Sequence, residues 1–353
     1  MHSNRSRLPV AFAFSLLIAL AFSAPACADS LAVKKAEATR VEAQVSALNT
    51  KAEIASEQYN AARDRFGKLT KKVETTERRI KKLEKEQSFL QSHLNTRVSE
   101  MYRTGPRGSL SVLLSVRTFE DLETTARVLA ALNAKDASTV AQLKATKASA
   151  QEARATLVAA QTDARRQKAA MAANAKAVEV QLAARKRLLA GLTAEIQTLV
   201  ARRLAAQSSS EQARTMKLLL AQRTPSMGGV YLGGKPASSE AAAAVYYAEK
   251  QIGKPYVWAA AGPDSFDCSG LMLFAYAKVG IDLTHYSGDQ INQGKHVDRS
   301  DLQPGDLVFF GSPIHHVGMY VGGDAFLEAP YTGTDVRITR LSSRSDFAGA
   351  CRP

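Results

Sequence analysis

A cysteine stands at the start of a predicted helix in the segment DCSGLMLFAYAKVG, residues 267–280. Asp267 is a residue type that caps helices, apolar residues recur at helical spacing after Cys268, and Gly280 follows them. The free N–H groups and the dipole of a helix N-terminus favour a thiolate, lower its pKa, and could hold an oxyanion during acyl transfer. The segment therefore predicts a nucleophilic thiol at Cys268. The charge of Asp267 opposes this ionisation unless the carboxylate is engaged in capping.

A thiolate nucleophile needs a base that can later protonate the leaving amine. The histidines that follow the helix are His285, His296, His315 and His316. In the strand-like segment HHVGMYVG, alternation places Val317 and Met319 on one face and His316 on the other. His316 is therefore the candidate base. Glu328, a polar residue in the apolar run AFLEAP, is the candidate to orient its imidazole, although each residue alone also fits a structural role.

The first 28 residues are typical of a secretory signal peptide, with a retained membrane anchor as the alternative. A basic start precedes the apolar run VAFAFSLLIALAFS, and small residues around Cys27 predict cleavage after Ala28. Ala24 stands where a lipoprotein signal would carry Leu, which disfavours a lipid anchor. Cleavage leaves Cys268 and Cys351. They could pair outside the cell, but one lies in a polar turn and the other near a chain end that should fray, so we predict free thiols.

Residues 29–222 are predicted to form a coiled-coil helical hairpin with an elbow near 103–118. Apolar residues recur at intervals of three and four from residue 41 to 94, with Lys, Arg and Glu between them. Pro106 ends the first helix, and Thr118 with Asp121 predicts a capped start for a second helix, from Phe119 to about Gln222, whose only glycine is Gly191. Residues 223–239, rich in Gly, Pro and Ser, predict a linker.

Residues 240–353 predict one small α+β domain. A first helix is expected over SEAAAAVYYAEKQIG, with Ser239 as its cap and Gly253 as its stop. The Cys268 helix follows. The predicted strands after it are GDLVFF, HHVGMYVG, AFLEAP and DVRIT. Helices followed by consecutive strands favour the α+β class.

Charge divides along the same boundary. Residues 240–353 carry 9 Lys and Arg against 13 Asp and Glu, so that the total of +14 is made by the basic residues of the helical half. Outside the membrane this charge could attract an anionic wall polymer, although solvated coiled-coil faces explain it equally well. Nucleic acid is not an expected partner, because the chain carries an export signal and no recognition motif.

Four segments of the last 110 or so residues resemble the NlpC-type cell-wall peptidases, which are papain-like enzymes that cut peptidoglycan stem peptides. They are GKPYVWAAAGPDSFDCSGLMLFAYAKVGIDL, LQPGDLVFF, HHVGMYVG and FLEAPYTG, in this order. The resemblance implies a papain-like fold in which Cys268 attacks the amide carbon, His316 is base and acid, and Glu328 is the third member. The third position is more often His, Asn or Gln, and a glutamate there would be expected to make His316 more strongly basic.

The resemblance also implies residues that contact the substrate and the bond that is cut. Tyr256, Asp267 and Ser269 match substrate-side positions of the family. The loop after Trp258 departs from the family, which commonly has two glycines where this chain has alanines from 259 to 261. The usual bond joins the γ-carboxyl of D-glutamate to a diamino acid. No cofactor or metal is implied, and no Cys-x-x-Cys spacing supports a metal site built on Cys268.

The helical half is similar to the coiled coils of division-associated wall hydrolases of Gram-positive bacteria. That likeness implies a secreted, wall-associated enzyme that stays idle until a membrane-bound division complex binds the coiled coil. The apolar segment Leu110–Val116 is a candidate docking surface, and we expect the hairpin to mask the Cys268 cleft at rest. The alternative is a scaffold that binds wall peptides without cutting them.

Overall fold

The structure, a computed structural model, describes residues 25–104, 116–206 and 234–353. The predicted signal peptide lies outside the described residues except for residues 25–28, which are helical. The predicted docking segment Leu110–Val116 also lies outside them except for its last residue, as does most of the predicted linker. None of the helices that the structure describes combines the length and the hydrophobicity of a membrane span.

Two long antiparallel helices form the hairpin. Helix α1 spans Pro25–Thr104 and helix α2 spans Phe119–Ala190. Ion pairs such as Arg97–Asp136 at 3.0 Å and Arg154–Glu84 at 2.7 Å link the two helices. The predicted cap is confirmed, since the Asp121 N–H donates to the Thr118 hydroxyl at 3.1 Å.

A single glycine interrupts the second arm of the hairpin. Gly191 caps the C-terminus of α2, and residues 194–206 are helical again, so the prediction of one continuous helix across this position was wrong. Glycine is the residue that costs most in a helix interior after proline. The segment beyond the break packs Ile196 and Val200 against Val41 and Val45 of α1, which keeps the apolar seam closed.

The C-terminal domain is of the α+β class, as predicted. Its helices are α3 (Ser239–Glu249), α4 (Cys268–Ala277) and the short α5 (Ser287–Gln290). Its strands are β1 (Lys295–His296), β2 (Leu307–Phe310), β3 (His316–Gly322), β4 (Ala325–Glu328), β5 (Arg337–Arg340) and β6 (Phe347–Arg352). The strands form one sheet in the order β1-β6-β2-β3-β4-β5, and every neighbouring pair is antiparallel.

Two local predictions about this domain were wrong. Helix α3 is capped by Ser238 rather than Ser239, and it ends at Glu249, before Gly253. The chain end does not fray, because β6 lies inside the sheet between β1 and β2. Cys351 is therefore fully buried. It is a free thiol, as is Cys268, which confirms the prediction that the two do not pair.

Helix α4 packs on one face of the sheet. Its apolar side, including Leu271 and Met272, contacts Val317 and Met319 of β3 in the main core. The other face of the sheet carries a second cluster around Phe310 and Phe326. Every buried member of the main core lies between residues 244 and 351, so the domain has a hydrophobic core of its own. This core fixes the N-terminus of α4 beside the start of β3.

Candidate active site

Cys268 is the first residue of α4, and Asp267 caps that helix as predicted. A helix start leaves about four N–H groups without intrahelical partners. Here the Asp267 N–H donates to the Ala260 carbonyl at 2.8 Å, and the Gly270 N–H donates to the Asp267 carboxylate at 2.7 Å. The remaining first-turn N–H groups are those of Cys268 and Ser269, which are next to the sulfur.

His316 opens strand β3, and its Nε2 lies 2.8 Å from Oε2 of Glu328 on β4. The other oxygen of Glu328 accepts from Arg337 Nε at 3.1 Å and from the Thr339 hydroxyl at 2.7 Å. Because an ionised carboxylate can only accept, Nε2 of His316 carries a proton. Nδ1 is buried, and none of the described residues supplies it with a hydrogen-bond partner. Nδ1 therefore carries a lone pair that can accept a proton from a neighbouring acid.

The Cys268 thiol is the candidate for this acid, because Cys268 and Val317 belong to the same core cluster. The Val317 backbone is near enough to the Cys268 sulfur to lower the pKa of the thiol, and Val317 directly follows His316. The sulfur therefore lies at the start of β3, beside the residue that carries the imidazole. The structure places His316 and Glu328 at one end of the sheet, and the helix that begins at Cys268 packs against β3.

The electrostatics of the thiol differ from the expectation. Burial raises the pKa of Cys268 well above its usual value, and nearby carboxylates raise it further. These carboxylates belong to Glu57, Asp267 and Glu53. In this conformation their effect and that of burial outweigh the helix dipole and the Val317 N–H, so the predicted lowering of the pKa was wrong here. The nucleophile is held as a thiol.

The imidazole is also less basic than expected. Burial lowers the pKa of His316, and the hydrogen bond and charge of Glu328 oppose this without overcoming it. For Glu328 itself, burial raises the pKa, but His316 and Arg337 hold it well below its usual range. Glu328 thus raises the pKa of His316 as expected, but burial outweighs this effect in this conformation. The pair consists of a neutral imidazole and an ionised carboxylate.

Helix α1 enters the cleft above the thiol. Oε1 of Glu57 accepts from the Ser269 hydroxyl at 2.7 Å and lies 3.6 Å from the Cys268 sulfur. Oε2 of Glu57 accepts from the Ser287 N–H at 2.5 Å. Asn60, one turn further on, donates to the second carboxylate oxygen of Asp267 at 2.8 Å. Glu57 is 2% exposed and Asn60 is fully buried, so the helix excludes solvent from the nucleophile.

Further contacts of α1 hold the loop that departs from the family pattern. The Tyr59 ring meets the Trp258 ring edge-on, with the centroids 5.2 Å apart. Arg63 donates to the Ala259 carbonyl at 3.1 Å and contacts the ring of His285. His285 in turn bonds Asp267 through Nε2 at 2.7 Å. Loop 258–262 is therefore part of the surface on which the hairpin rests.

The three predicted substrate-side residues all lie near the thiol. Tyr256 is buried and lines a small cavity with Glu53 and Trp258. Burial raises its pKa well above the usual value, and Cys268 and Asp267 contribute to that rise. Oδ2 of Asp267 accepts a hydrogen bond from Asn60 of α1, and the Ser269 hydroxyl donates one to Glu57 of α1. Their role in substrate binding remains a prediction.

The other histidines serve elsewhere. His296 is exposed on β1, and Nδ1 of His315 lies 2.9 Å from the Pro313 carbonyl oxygen. Within the described ranges, no three side chains of His, Cys, Asp and Glu are grouped as metal ligands would be.

The sequence reasoning missed the polar residues of α1 that reach the cleft. Glu57, Asn60 and Arg63 do not belong to the apolar seam of the coiled coil. One signal was present, because residues 52–62 contain no Lys or Arg although the chain on both sides is rich in them. Ser287 was missed as well, since its contribution is a backbone N–H that no side-chain pattern reveals.

Comparison with known proteins places the C-terminal domain. Residues 253–346 match the NlpC/P60 family. Peptidoglycan endopeptidase RipA of Mycolicibacterium smegmatis is 47% identical over 103 residues, 25% of this chain and 21% of that protein. The probable endopeptidase p60 of Listeria grayi is 44% identical over 103 residues, 28% of this chain and 20% of that protein. The match thus spans about a fifth of each relative's length.

Among solved structures, NlpC2 from Trichomonas vaginalis is 36% identical, with a TM-score of 0.31, over 33% of this chain and 47% of that one. The residues that match the family model lie in the domain that carries Cys268, His316 and Glu328. This domain is therefore similar to the NlpC/P60 family.

Proposed function

We propose that the protein is a cysteine endopeptidase that cuts peptidoglycan stem peptides, and that its helical hairpin holds it inactive in the conformation seen here. The observation that carries the proposal is the thiol at the N-terminus of α4, which a carboxylate of α1 covers, in a domain that also holds the hydrogen-bonded His316–Glu328 pair. Relatives of the same family are named peptidoglycan endopeptidases. Peptidoglycan lies outside the cytoplasmic membrane, which agrees with the predicted export signal.

The geometry supports a thiol mechanism once the cleft is open. Nδ1 of His316 takes the proton of Cys268, and the resulting thiolate attacks the carbonyl carbon of the scissile amide. The N–H groups of Cys268 and Ser269 receive the oxyanion of the tetrahedral intermediate. The imidazolium, stabilised by Glu328, then protonates the leaving amine. Water hydrolyses the remaining thioester with His316 as base, and the thiol is restored.

The substrate bond follows from the family likeness. The proposed bond joins the γ-carboxyl of D-glutamate to a diamino acid. Tyr256 lies near the thiol, and Asp267 and Ser269 hydrogen-bond to α1 beside it, which supports a role for all three in contacting such a peptide after the helix leaves. No cofactor takes part in these steps.

Masking by the hairpin is proposed on three grounds. Glu57 lies between the thiol and solvent, Asn60 occupies the free oxygen of Asp267, and both are buried. The same helix keeps the pKa of Cys268 high through the charges of Glu57 and Glu53. Helix α1 therefore blocks access to the Cys268 thiol and also disfavours its ionisation. A membrane-bound division complex that binds the hairpin is the proposed activator, and an anionic wall polymer is a second candidate partner for its basic surface.

A comparison of the 240–353 fragment with the full chain tests the proposal. Both are incubated with purified peptidoglycan, and the released muropeptides are identified by mass spectrometry, with Cys268→Ala as the inactive control. We expect the fragment to generate new D-glutamate termini at a rate at least about 100-fold above that of the full chain, the factor for a conformational bias of about 3 kcal/mol.

The possible results separate the parts of the proposal. Equal rates for fragment and full chain would remove the masking role of the hairpin. Binding of the fragment to peptidoglycan without any cleavage would favour the alternative, a wall-binding scaffold.

A further inference from the structure

Glu328, the carboxylate that contacts His316, is itself held by two donors of the neighbouring strand. Its Oε2 lies 2.8 Å from Nε2 of His316, whereas its Oε1 accepts from Arg337 Nε at 3.1 Å and from the Thr339 hydroxyl at 2.7 Å. Both donors belong to β5, which pairs with β4 so that Arg337 stands opposite Glu328. Side chains two residues apart on a strand share a face, so Thr339 lies on the same face as Arg337. The two oxygens of one carboxylate are thus divided between the histidine and β5.

The burial of this carboxylate makes its partners necessary. Glu328 and His316 are each 1% exposed, and Thr339 is 4% exposed. A charge removed from water costs free energy unless an opposite charge and hydrogen bonds compensate for it. The side chain of Arg337 is 15% exposed and supplies that opposite charge from the rim of the sheet. Strand β5 therefore satisfies the oxygen of Glu328 that His316 does not use.

Three more charged or titratable groups act on the His316–Glu328 pair, from the residues beside it and from α1: His315, Arg344 and Glu53. Arg344 gives its guanidinium hydrogen bonds to Asp346, at 2.8 and 2.9 Å. Its charge is felt by the pair, but its direction is set by another carboxylate. Arg337, by contrast, donates to the carboxylate of Glu328 itself. Arg337 and Thr339 are therefore the groups that fix the orientation of Glu328.

We propose that Arg337 and Thr339 are positioning residues of the proposed peptidase: they hold Glu328 with one oxygen toward His316, which keeps the imidazole proton on Nε2 and leaves Nδ1 free to accept the proton of a thiol. The role in catalysis rests on the proposed function, whereas the control of His316 by β5 does not. A glutamate that lost both donors could rotate away from His316 or take up a proton. Either change leaves the Nε2 proton without a fixed, charged acceptor.

Nuclear magnetic resonance of the full chain with 15N-labelled histidine reads the position of this proton directly. The chain has six histidines, and the spectrum of His316→Gln assigns the signals of His316. The nitrogen shifts of Nδ1 and Nε2 give the tautomer, and their pH titration gives the pKa of the imidazole. The variants are Arg337→Ala, Thr339→Val, Thr339→Ser and Arg340→Ala. Arg340 lies on the same strand and pairs with Asp324 at 3.0 Å, so it is the matched control.

Each variant has a stated expectation, against a wild type that carries its proton on Nε2 at neutral pH. Thr339→Val should raise the population with the proton on Nδ1 at least about tenfold, because a hydrogen bond to a charged acceptor is lost. Thr339→Ser keeps the hydroxyl and should match wild type. Arg337→Ala should change the tautomer in the same direction and raise the pKa of His316 by about one unit, since removal of a nearby cation favours the imidazolium. Arg340→Ala should change neither quantity.

Three results would overturn the proposal. One is an unchanged tautomer in both Arg337→Ala and Thr339→Val. Another is a Thr339→Ser spectrum that matches Thr339→Val, because the effect would then come from packing and not from the hydroxyl. The third is an equal change in Arg340→Ala, because the effect would then be that of any charge on the strand.

Two features keep the test decisive. Where Arg337→Ala does not fold, Arg337→Gln removes the charge but keeps a long side chain that can pack, and it carries the same expectation. The readout is the position of a proton on His316, which does not require any cleavage of peptidoglycan. A failure of the proposed peptidase activity and a failure of the positioning role would therefore be seen separately.

Discussion

Raising the pH should open the hairpin, because two buried carboxyl groups of α1 bind protons more tightly in the closed state. Burial raises the pKa of Glu57, and the charge of Asp267 adds to this, while hydrogen bonds from Ser287 and Ser269 oppose it. Burial also raises the pKa of Glu53 well above its usual value, against an opposing effect of Arg344. When the hairpin leaves, both carboxyl groups enter solvent and regain ordinary pKa values.

The sign follows from proton linkage. Below the ordinary carboxyl pKa of about 4.5, both states are protonated and the equilibrium does not depend on pH. Between that value and the raised pKa of the closed state, opening releases protons, so the closed state loses stability as pH rises. Each linked proton contributes at most about 1.4 kcal/mol per pH unit, a factor of ten in the opening constant. Two fully linked groups set a ceiling of about 100-fold per unit.

The only tryptophan of the chain reports on this equilibrium. Trp258 contacts the Tyr59 ring across the closed interface, so its emission should shift toward that of a solvated indole as pH rises from 5 to 8. The 240–353 fragment, which has no hairpin, provides the open reference at each pH. The double variant Glu53→Gln with Glu57→Gln should lose the pH dependence. An emission shift in the opposite direction, or an unchanged slope in the double variant, would refute the reasoning.

Three further expectations concern single side chains. In the 240–353 fragment, Glu328→Gln should lower kcat by about 10- to 100-fold with little change in KM, because the imidazolium of His316 loses a charged hydrogen bond. Muropeptide assays measure both constants, and a change confined to KM would contradict this expectation. Asp267→Ala should lower the free energy of unfolding of the fragment by about 1–2 kcal/mol through loss of the helix cap, measured by urea denaturation, and an unchanged midpoint would be inconsistent with that role. In the full chain, Asn60→Ala should speed iodoacetamide labelling of Cys268, and an unaltered rate would show that this contact does not hold the cover.

The local parts of the fold and site could be predicted from the sequence because their signals are local. Asp267 before a helical apolar pattern gave the start of α4, and alternation in HHVGMYVG separated His316 from the core face of β3. Glu328 stood out as the polar residue of an apolar strand, and the structure places it on His316. Each of these inferences uses residues within a few positions of one another.

The rest could not be predicted, because it depends on how distant segments meet. Glu57 and Cys268 are 211 positions apart, and no pattern in either helix specifies which turn of α1 lies over the cleft. The ionisation of the thiol was misjudged for the same reason, since its surroundings are supplied mainly by that helix. Strand β6 was missed because its short, glycine-containing segment becomes a strand only through pairing with β2 on one side and β1 on the other.

The polar character of the masking interface bears on how it is released. The contacts over the thiol are hydrogen bonds and buried carboxylates, and the Ser56 hydroxyl and Oδ1 of Asn60 are buried there without partners among the described residues. Buried polar groups with incomplete hydrogen bonding cost free energy, so this interface is weaker than an apolar one of equal size. Shifting a two-state equilibrium from 1:99 to 99:1 takes about 5.5 kcal/mol, which is within the range of a protein partner that prefers one state. Because Glu57 contacts the thiol, the Ser269 hydroxyl and the Ser287 N–H, a displacement of α1 by a single turn would remove the cover and its charge in one step.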